Sequence, residues 1–318
     1  MTVSTDDGEA GRGGNVLARI ARRETGLLLF GMTPPRRSST HQERHRIAAV
    51  NLARLAPLDL DGLVLYDIAD ETARNAHERP FPYLPTVDPA DFHADHLAAW
   101  TKPVIIYRCV GKYPSTDIET WLLAQHPANV GTVFVGSPSR TAPVLTDLSS
   151  AQALWSKVRP EVPLGGVAIP ERHTARRQEH HRLIAKQTKG CSFFITQVVY
   201  DVNAAKNLVS DYHYGCIEAG IDPVPIIFTL SVCGSIKTLE FLRWLGVDVP
   251  RWMENALAHA GDTLSESYDQ CLATSHELAT FCEGLNMPYG FNVESVSNRK
   301  AEIETTVRLA AHLRRSRP

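Results

Sequence analysis

The sequence predicts an α/β chain folded as an eight-stranded (β/α)8 TIM barrel with extra helices before the eighth strand, and three observations carry that expectation. Short apolar segments alternate with longer amphipathic ones from about residue 26 to the end. The apolar segments are continuous in Val, Ile, Leu and Phe, as in strands covered on both faces. Eight such pairs fit within about 290 residues, near the ~250 of a barrel plus insertions. A doubly wound open sheet is the competing fold. It is disfavoured because no Gly-rich fingerprint follows any strand, and Gly11-Arg-Gly-Gly14 precedes them all.

The expected strands are Gly26–Met32, Gly62–Tyr66, Pro103–Arg108, Gly131–Val135, Leu164–Ile169, Phe193–Gln197, Pro225–Leu230 and Gly290–Val293. Between them, Ser39–Leu55 opens with Ser/Thr caps and sets Ile47, Val50, Leu52 and Leu55 on or near one face. Thr116–Gln125, Ser149–Val158, Arg172–Lys189, Asn203–Ala219 and Ser235–Leu245 continue the helical series. Arg251–Cys282 is long enough for two extra helices, and Lys300–Arg314 closes the chain. Residues 1–14 are polar, acidic and Gly-rich with no apolar run, so residues 1–20 are expected to form a flexible tail and 21–318 a single barrel domain.

Composition narrows the function classes. A hydrophobic content of 43%, a charged content of 21% and a net charge of -2 describe a globular protein with no reason to seek nucleic acid or an anionic membrane. No apolar run reaches transmembrane length. The six cysteines lack CxxC or zinc-finger spacing and read as reduced core thiols, which suits a cytoplasmic protein. The partner expected is a small molecule, and the oligomeric state is left open.

In a barrel, chemistry gathers at the carboxyl ends of the strands. The first ends at Gly31-Met-Thr-Pro-Pro-Arg36, whose diproline makes a rigid exit and whose Arg36 can meet an anion. The second ends at Tyr66-Asp67, with Glu71 further on. Asp67 abuts the strand and is the first candidate for a general acid, followed by Glu71, Glu171 and Glu294. Arg108 closes the third strand, and the small-residue turn at Gly136 and Ser137 closes the fourth, where backbone amides can approach a ligand. His173 follows the fifth as a ligand-binding group, a helix N-terminal residue or a surface residue. His180 and His181 lie further along as a solvated helix face, without HExxH spacing or a carboxylate to complete a metal set, so no metal is expected. The sixth strand brings Thr196, Gln197, Tyr200 and Asp201; a buried amide at Gln197 needs partners and suits a heterocycle with adjacent donors and acceptors. Arg299, in the loop after the eighth strand, suits a carboxylate or phosphate.

Pro170-Glu-Arg-His173 and Ile195-Thr-Gln-Val-Val-Tyr-Asp201 resemble the Pro-Glu-x-His and Ile-Thr-Gln-x-x-x-Asp patterns of methylenetetrahydrofolate reductases. Ala219-Gly-Ile-Asp222, Val249-Pro-Arg-Trp252 and Asn298-Arg299 extend the likeness, which is strongest from Gly166 to Leu257. The resemblance implies a (β/α)8 barrel that uses FAD to pass a hydride from NAD(P)H to 5,10-methylenetetrahydrofolate, giving 5-methyltetrahydrofolate. It implies that Gln197 holds the pterin and that Arg299 contacts a nucleotide or folate.

Three positions depart from the pattern. Where the family has a glutamate at the end of its first strand, this chain has Gly31. The fourth-strand aspartate of Arg-Gly-Asp is replaced within Val135-Gly-Ser137, and the flavin-lining tyrosine before Pro-Glu-x-His is Ile169. The expectation is therefore reduction of methylenetetrahydrofolate by direct hydride transfer from NADH or NADPH without bound flavin. The expected sites are Asp67, Glu171 and Glu294 for catalysis, Gln197, Tyr200 and Arg299 for substrate, and Arg36, Arg108, Gly136, Ser137 and His173 for cofactor. A conventional FAD enzyme, a silent folate-binding barrel and a methyl-folate methyltransferase are the alternatives.

Overall fold

In the computed structural model, which describes residues 15–72, 77–137 and 143–315, eight parallel strands close in sequence order into a barrel. They are β1 (Leu27–Met32), β2 (Gly62–Leu65), β3 (Val104–Cys109), β4 (Val130–Val135), β5 (Leu164–Ala168), β6 (Cys191–Val198), β7 (Ile226–Ser231) and β8 (Tyr289–Glu294). The helices are α1 (Val16–Ala21), α2 (His41–Leu55), α3 (Pro89–His96), α4 (Ser115–Leu123), α5 (Leu148–Val158), α6 (Pro170–Arg176), α7 (Glu179–Thr188), α8 (Val202–Glu218), α9 (Ile236–Trp244), α10 (Arg251–His259), α11 (Thr263–Gly284) and α12 (Lys300–Arg315). The (β/α)8 barrel is thus as expected, with α10 and α11 as the extra helices before β8. Closure pairs β1 with β8, setting Gly31 opposite Glu294.

Strand alternation divides the core into two layers. Leu29, Val64, Ile105, Val133, Ile195 and Ile227 form one cluster inside the barrel. Leu28, Leu63, Ile106, Phe194, Phe228 and Val293 belong to a second cluster between the strands and the helices. Each such side chain contributes roughly 1.5–3 kcal/mol by leaving water.

Helix α1 lies largely within residues 1–20, the stretch expected as a tail. Val16–Ala21 is a helix that buries Val16, Leu17 and Ile20 in the inner cluster, capped by the Asn15 side chain. Glycines make room for it, since a Cβ on Gly62 would lie 3.1 Å from Val16 and one on Gly131 would lie 3.0 Å from Leu17. Arg19 pairs with Asp61 at 2.7 Å, and Asp61 accepts the Leu28 amide, which fixes the helix across the amino ends of the strands. Residues 1–14 of the expected tail lie outside the described residues.

The run Arg172–Lys189, expected as one helix, is two. Arg177 adopts the left-handed conformation (φ 48°) after α6, and α7 starts again at Glu179. All six cysteines are buried and unpaired by disulfides. Among the described residues, no helix is long and apolar enough to cross a membrane.

Candidate functional site

A cavity of about 2060 Å³ opens at the carboxyl ends of the strands, well above the roughly 300–1,000 Å³ of a common small-molecule site. It has room for two heterocyclic ligands side by side. Its walls take residues from β1 (Gly31), β2 and its exit (Tyr66, Asp67), β6 (Gln197), β7 (Thr229) and β8 (Glu294).

Glu294 is the most unusual group there. Burial pushes its carboxyl up to about 7, against the opposing pull of hydrogen bonds from Tyr66 and Asn292. Asn292 donates from Nδ2 to the Tyr66 hydroxyl at 2.8 Å and reaches Glu294 Oε2 and Thr229 Oγ1 at 3.4 Å. Tyr66 in turn donates to Glu294, and its own acidity is suppressed by burial and by the carboxylate. A Cβ on Gly31 would lie 3.0 Å from the Tyr66 ring and 3.1 Å from Glu294 Oε2. The missing side chain on β1 is the space that the β8 carboxyl and the tyrosine share. Near neutrality Glu294 can hold a proton and give it up into the cavity.

Asp67 has a different environment. One residue beyond Tyr66, it points to the opposite side of the strand, toward the β3 exit. It is ion-paired with Lys112 and accepts from the Cys109 amide at 2.7 Å and the Tyr113 hydroxyl at 2.9 Å. The carboxylate thus satisfies three donors, one of them cationic. At the cavity wall its geometry is that of an anchor between the second and third loops. Glu71 lines the cavity as well.

Glu171, at the start of α6, also lines the cavity, and burial pushes it up to about 7. Its Oε1 accepts the Asp248 amide at 3.4 Å and its Oε2 is buried without a partner. Gln197 projects from β6 into the cavity, with its amide N–H held by the Leu245 carbonyl at 3.2 Å, which leaves its oxygen to read a ligand donor. Arg36, Gly136, Ser137 and Arg299 reach the cavity as well. Arg299 lies 3.6 Å from Glu302.

Three expected site residues lie elsewhere. Arg108 is on the outward face of β3, buried, with Nη1 2.7 Å from Asp88 and its guanidinium stacked over Tyr113 and Trp121. Tyr200 packs beside α9, donating its hydroxyl to the Ser231 carbonyl at 3.0 Å. His173 is buried among α6, α7 and α8, with Nε2 3.0 Å from Asp211. None of the three lines the cavity, so Arg108 and His173 are not placed to hold a cofactor there, nor Tyr200 the substrate.

Sequence reasoning passed over Tyr66, Asn292 and a strap over the cavity. Parity carried the signal for the first two: each lies an even number of residues from an inward strand position, Tyr66 from Val64 and Asn292 from Gly290. The strap is the segment 77–87, which leaves the β2 side, docks on α9 and returns to the β1 exit. Trp244 Nε1 donates to the His77 carbonyl at 2.9 Å, and Arg79 lies over the rings of Phe241, Trp244 and Tyr83 at 5.2–5.5 Å. Backbone bonds Arg37 N–Pro85 O and Val87 N–Pro35 O, each 2.8 Å, seat the return.

At the positions where the resemblance implies flavin contacts, the residues differ. The exit of β4 offers Gly136 and Ser137 rather than a carboxylate, and the residue before Pro170 is aliphatic Ile169 rather than a stacking ring.

A family model described as methylenetetrahydrofolate reductase matches residues 152–286. No curated protein matches the sequence. Among solved structures, an uncharacterised protein from Clostridium thermocellum, described as binding two copies of 5-methyl-5,6,7,8-tetrahydrofolic acid, is 41% identical. The match has a TM-score of 0.83 over 94% of this chain and 99% of that one. Dihydropteroate synthase from Xanthomonas albilineans with 4-aminobenzoic acid is 12% identical, with a TM-score of 0.47 over 93% and 95% of the two chains. The motif likeness, strongest from Gly166 to Leu257, the family match over residues 152–286 and the relationship along nearly the whole chain agree: the protein belongs to the methylenetetrahydrofolate reductase family.

Proposed function

We propose that this protein reduces 5,10-methylenetetrahydrofolate to 5-methyltetrahydrofolate with a hydride taken directly from NADH or NADPH, without a flavin between them. The observation that carries this reading is Glu294, a protonatable carboxyl between Tyr66 and Asn292 in a cavity large enough for two heterocycles. The glutamate that the resemblance implies at position 31 finds its counterpart one strand over, at the register partner of Gly31. Membership of the family and a relative that binds 5-methyltetrahydrofolate support a reduced folate as ligand.

In the proposed mechanism the pterin lies against Gln197, whose free carbonyl oxygen accepts from the ring's donors. Glu294 gives its proton to N10 as the bond from N10 to the methylene carbon breaks, and that electron pair goes to N10. The methylene remains on N5 as an iminium. The C4–H electron pair of the dihydronicotinamide then moves with its hydrogen to the methylene carbon, leaving the methyl product and oxidised nicotinamide. Solvent restores the proton to Glu294. Orienting the two ligands together can supply several kcal/mol of barrier lowering without further chemistry from the chain. No step runs through a flavin.

A second reading, a folate-binding barrel without turnover, is favoured by the relative's two bound folates. Addition of 5,10-methylenetetrahydrofolate to colourless protein and NADH, or NADPH, separates the two. Loss of dihydronicotinamide absorbance with formation of 5-methyltetrahydrofolate is the expected result. Folate binding by calorimetry with no oxidation of either nucleotide, with or without added FAD, refutes the reductase reading. Turnover only after FAD addition refutes the flavin-free step.

A further inference from the structure

His173, His180 and Asp211 come from three successive helices, and the sequence gives no hint that they meet. His173 and His180 are seven residues apart across the break at Arg177, and Asp211 is thirty-eight residues beyond His173 on α8. The fold packs α6, α7 and α8 together beside the cavity and brings one ligand atom from each residue within 4.8 Å of the others. This supplies the carboxylate that the local spacing lacks.

We propose that these three side chains form a site for a divalent transition-metal ion, zinc by preference, which clamps α6 to α7 and α8. Two imidazoles and one carboxylate are a common zinc ligand set, leaving a fourth position for water. His173 is 2% exposed, and Nδ1 of His180 is buried and has no hydrogen-bond partner. A buried polar nitrogen without a partner is costly unless something takes its lone pair or proton. The His173 Nε2 to Asp211 Oδ2 separation of 3.0 Å is already near the about 3.3 Å edge expected of a zinc tetrahedron with bonds of about 2.0 Å. The proton shared along that edge is what the ion would replace. Separations of up to 4.8 Å must close by up to about 1.5 Å to reach that edge, which the partly exposed His180 side chain permits.

Neutral imidazoles are the ligating form. His181 packs against His180 with ring centroids 3.8 Å apart, and it serves as a control because it is not one of the three converging groups. The clamp is independent of the reaction proposed above. Its mechanical effect falls on α6, whose first turn carries Glu171 to the cavity.

The test uses the full chain after chelator treatment and dialysis, with zinc chloride alone as titrant in calorimetry and in thermal melts. Cobalt(II) is the spectroscopic probe for nitrogen and oxygen ligands. The expected result is one tight ion per chain and a raised Tm. Affinity should fall at least about tenfold in both His180→Ala and Asp211→Ala and stay unchanged in His181→Ala. His180→Gln, which preserves bulk, repeats the loss if His180→Ala is poorly folded. No zinc-dependent rise in Tm, or a rise that survives in both His180→Ala and Asp211→Ala, overturns the proposal.

Discussion

Replacing Glu294 by Gln separates its proton from its shape. Gln fits the same space and can still hydrogen-bond Tyr66 and Asn292, but it does not titrate. The carboxyl titrates near 7 in the folded chain and at its ordinary 4.5 when unfolded. Between those values the folded chain retains a proton that the unfolded chain has lost, so the contribution of Glu294 to stability is full below 4.5. It is lost as pH rises through 7. At about 1.4 kcal/mol per pH unit, the whole effect is roughly 3 kcal/mol. Urea unfolding of both proteins at pH 5 and pH 8 measures it. The stability of Glu294→Gln relative to the parent should rise by roughly 2–3 kcal/mol between those pH values. Turnover should fall about a hundredfold or more, as expected on removing a general acid. In the parent, kcat/KM should fall as pH rises above about 7. Glu171 titrates in the same range, so Glu171→Gln is the control: it should alter the stability slope and leave the alkaline limb of kcat/KM in place. A Glu294→Gln protein with parental turnover, or with no change in relative stability between the two pH values, would refute the reasoning.

Other substitutions test the remaining assignments. Asp67→Asn should reduce stability by about 1–3 kcal/mol in thermal or urea unfolding, because it weakens the hydrogen bonds that the buried carboxylate accepts from the Cys109 amide and the Tyr113 hydroxyl, beside its pair with exposed Lys112. Turnover by the folded fraction should stay within a few fold of the parent. Gly31→Ala places a methyl group 3.0–3.1 Å from Tyr66 and Glu294; we expect turnover to drop about tenfold or more in steady-state assays, with little loss of fold. Arg79→Ala removes the cation over three rings at the strap, worth about 0.5–2 kcal/mol. Limited proteolysis should then cut segment 77–87 faster, and saturating folate should slow that cleavage.

Much of the barrel was readable because buried parallel strands are written as continuous apolar runs. All eight fall within a few residues of their expected bounds, Pro103–Arg108 against Val104–Cys109 for instance. The short α1 was not readable, since six residues next to a polar tail give too little periodicity, and its stability comes from the barrel floor. The break at Arg177 has no Gly or Pro to announce it. At the strand ends the difficulty was facing. Arg108 and Tyr200 each sit next to an exit, where proximity to the mouth is easy to infer from sequence. Direction depends on alternation and on how the following loop turns. Glu294, Gln197 and Glu171 do reach the cavity, and Tyr66 becomes visible once parity is counted from Val64.

The buried thiols give the molecule a built-in gauge of its own opening. Cys109 stands at the end of β3, Cys191 in β6, Cys216 in α8, Cys233 after β7, and Cys271 and Cys282 in α11. Burial holds their protons in place, pushing Cys109, Cys233, Cys271 and Cys282 up to about 12 and Cys191 to about 11. A thiol reagent therefore has almost no thiolate to attack until a sector breathes. The alkylation rate at each cysteine, read by peptide mass spectrometry, maps the local opening free energy around much of the barrel. A ligand that seals the mouth should slow Cys109 far more than Cys282, which makes the protein's chemistry a reporter of where its ligands sit.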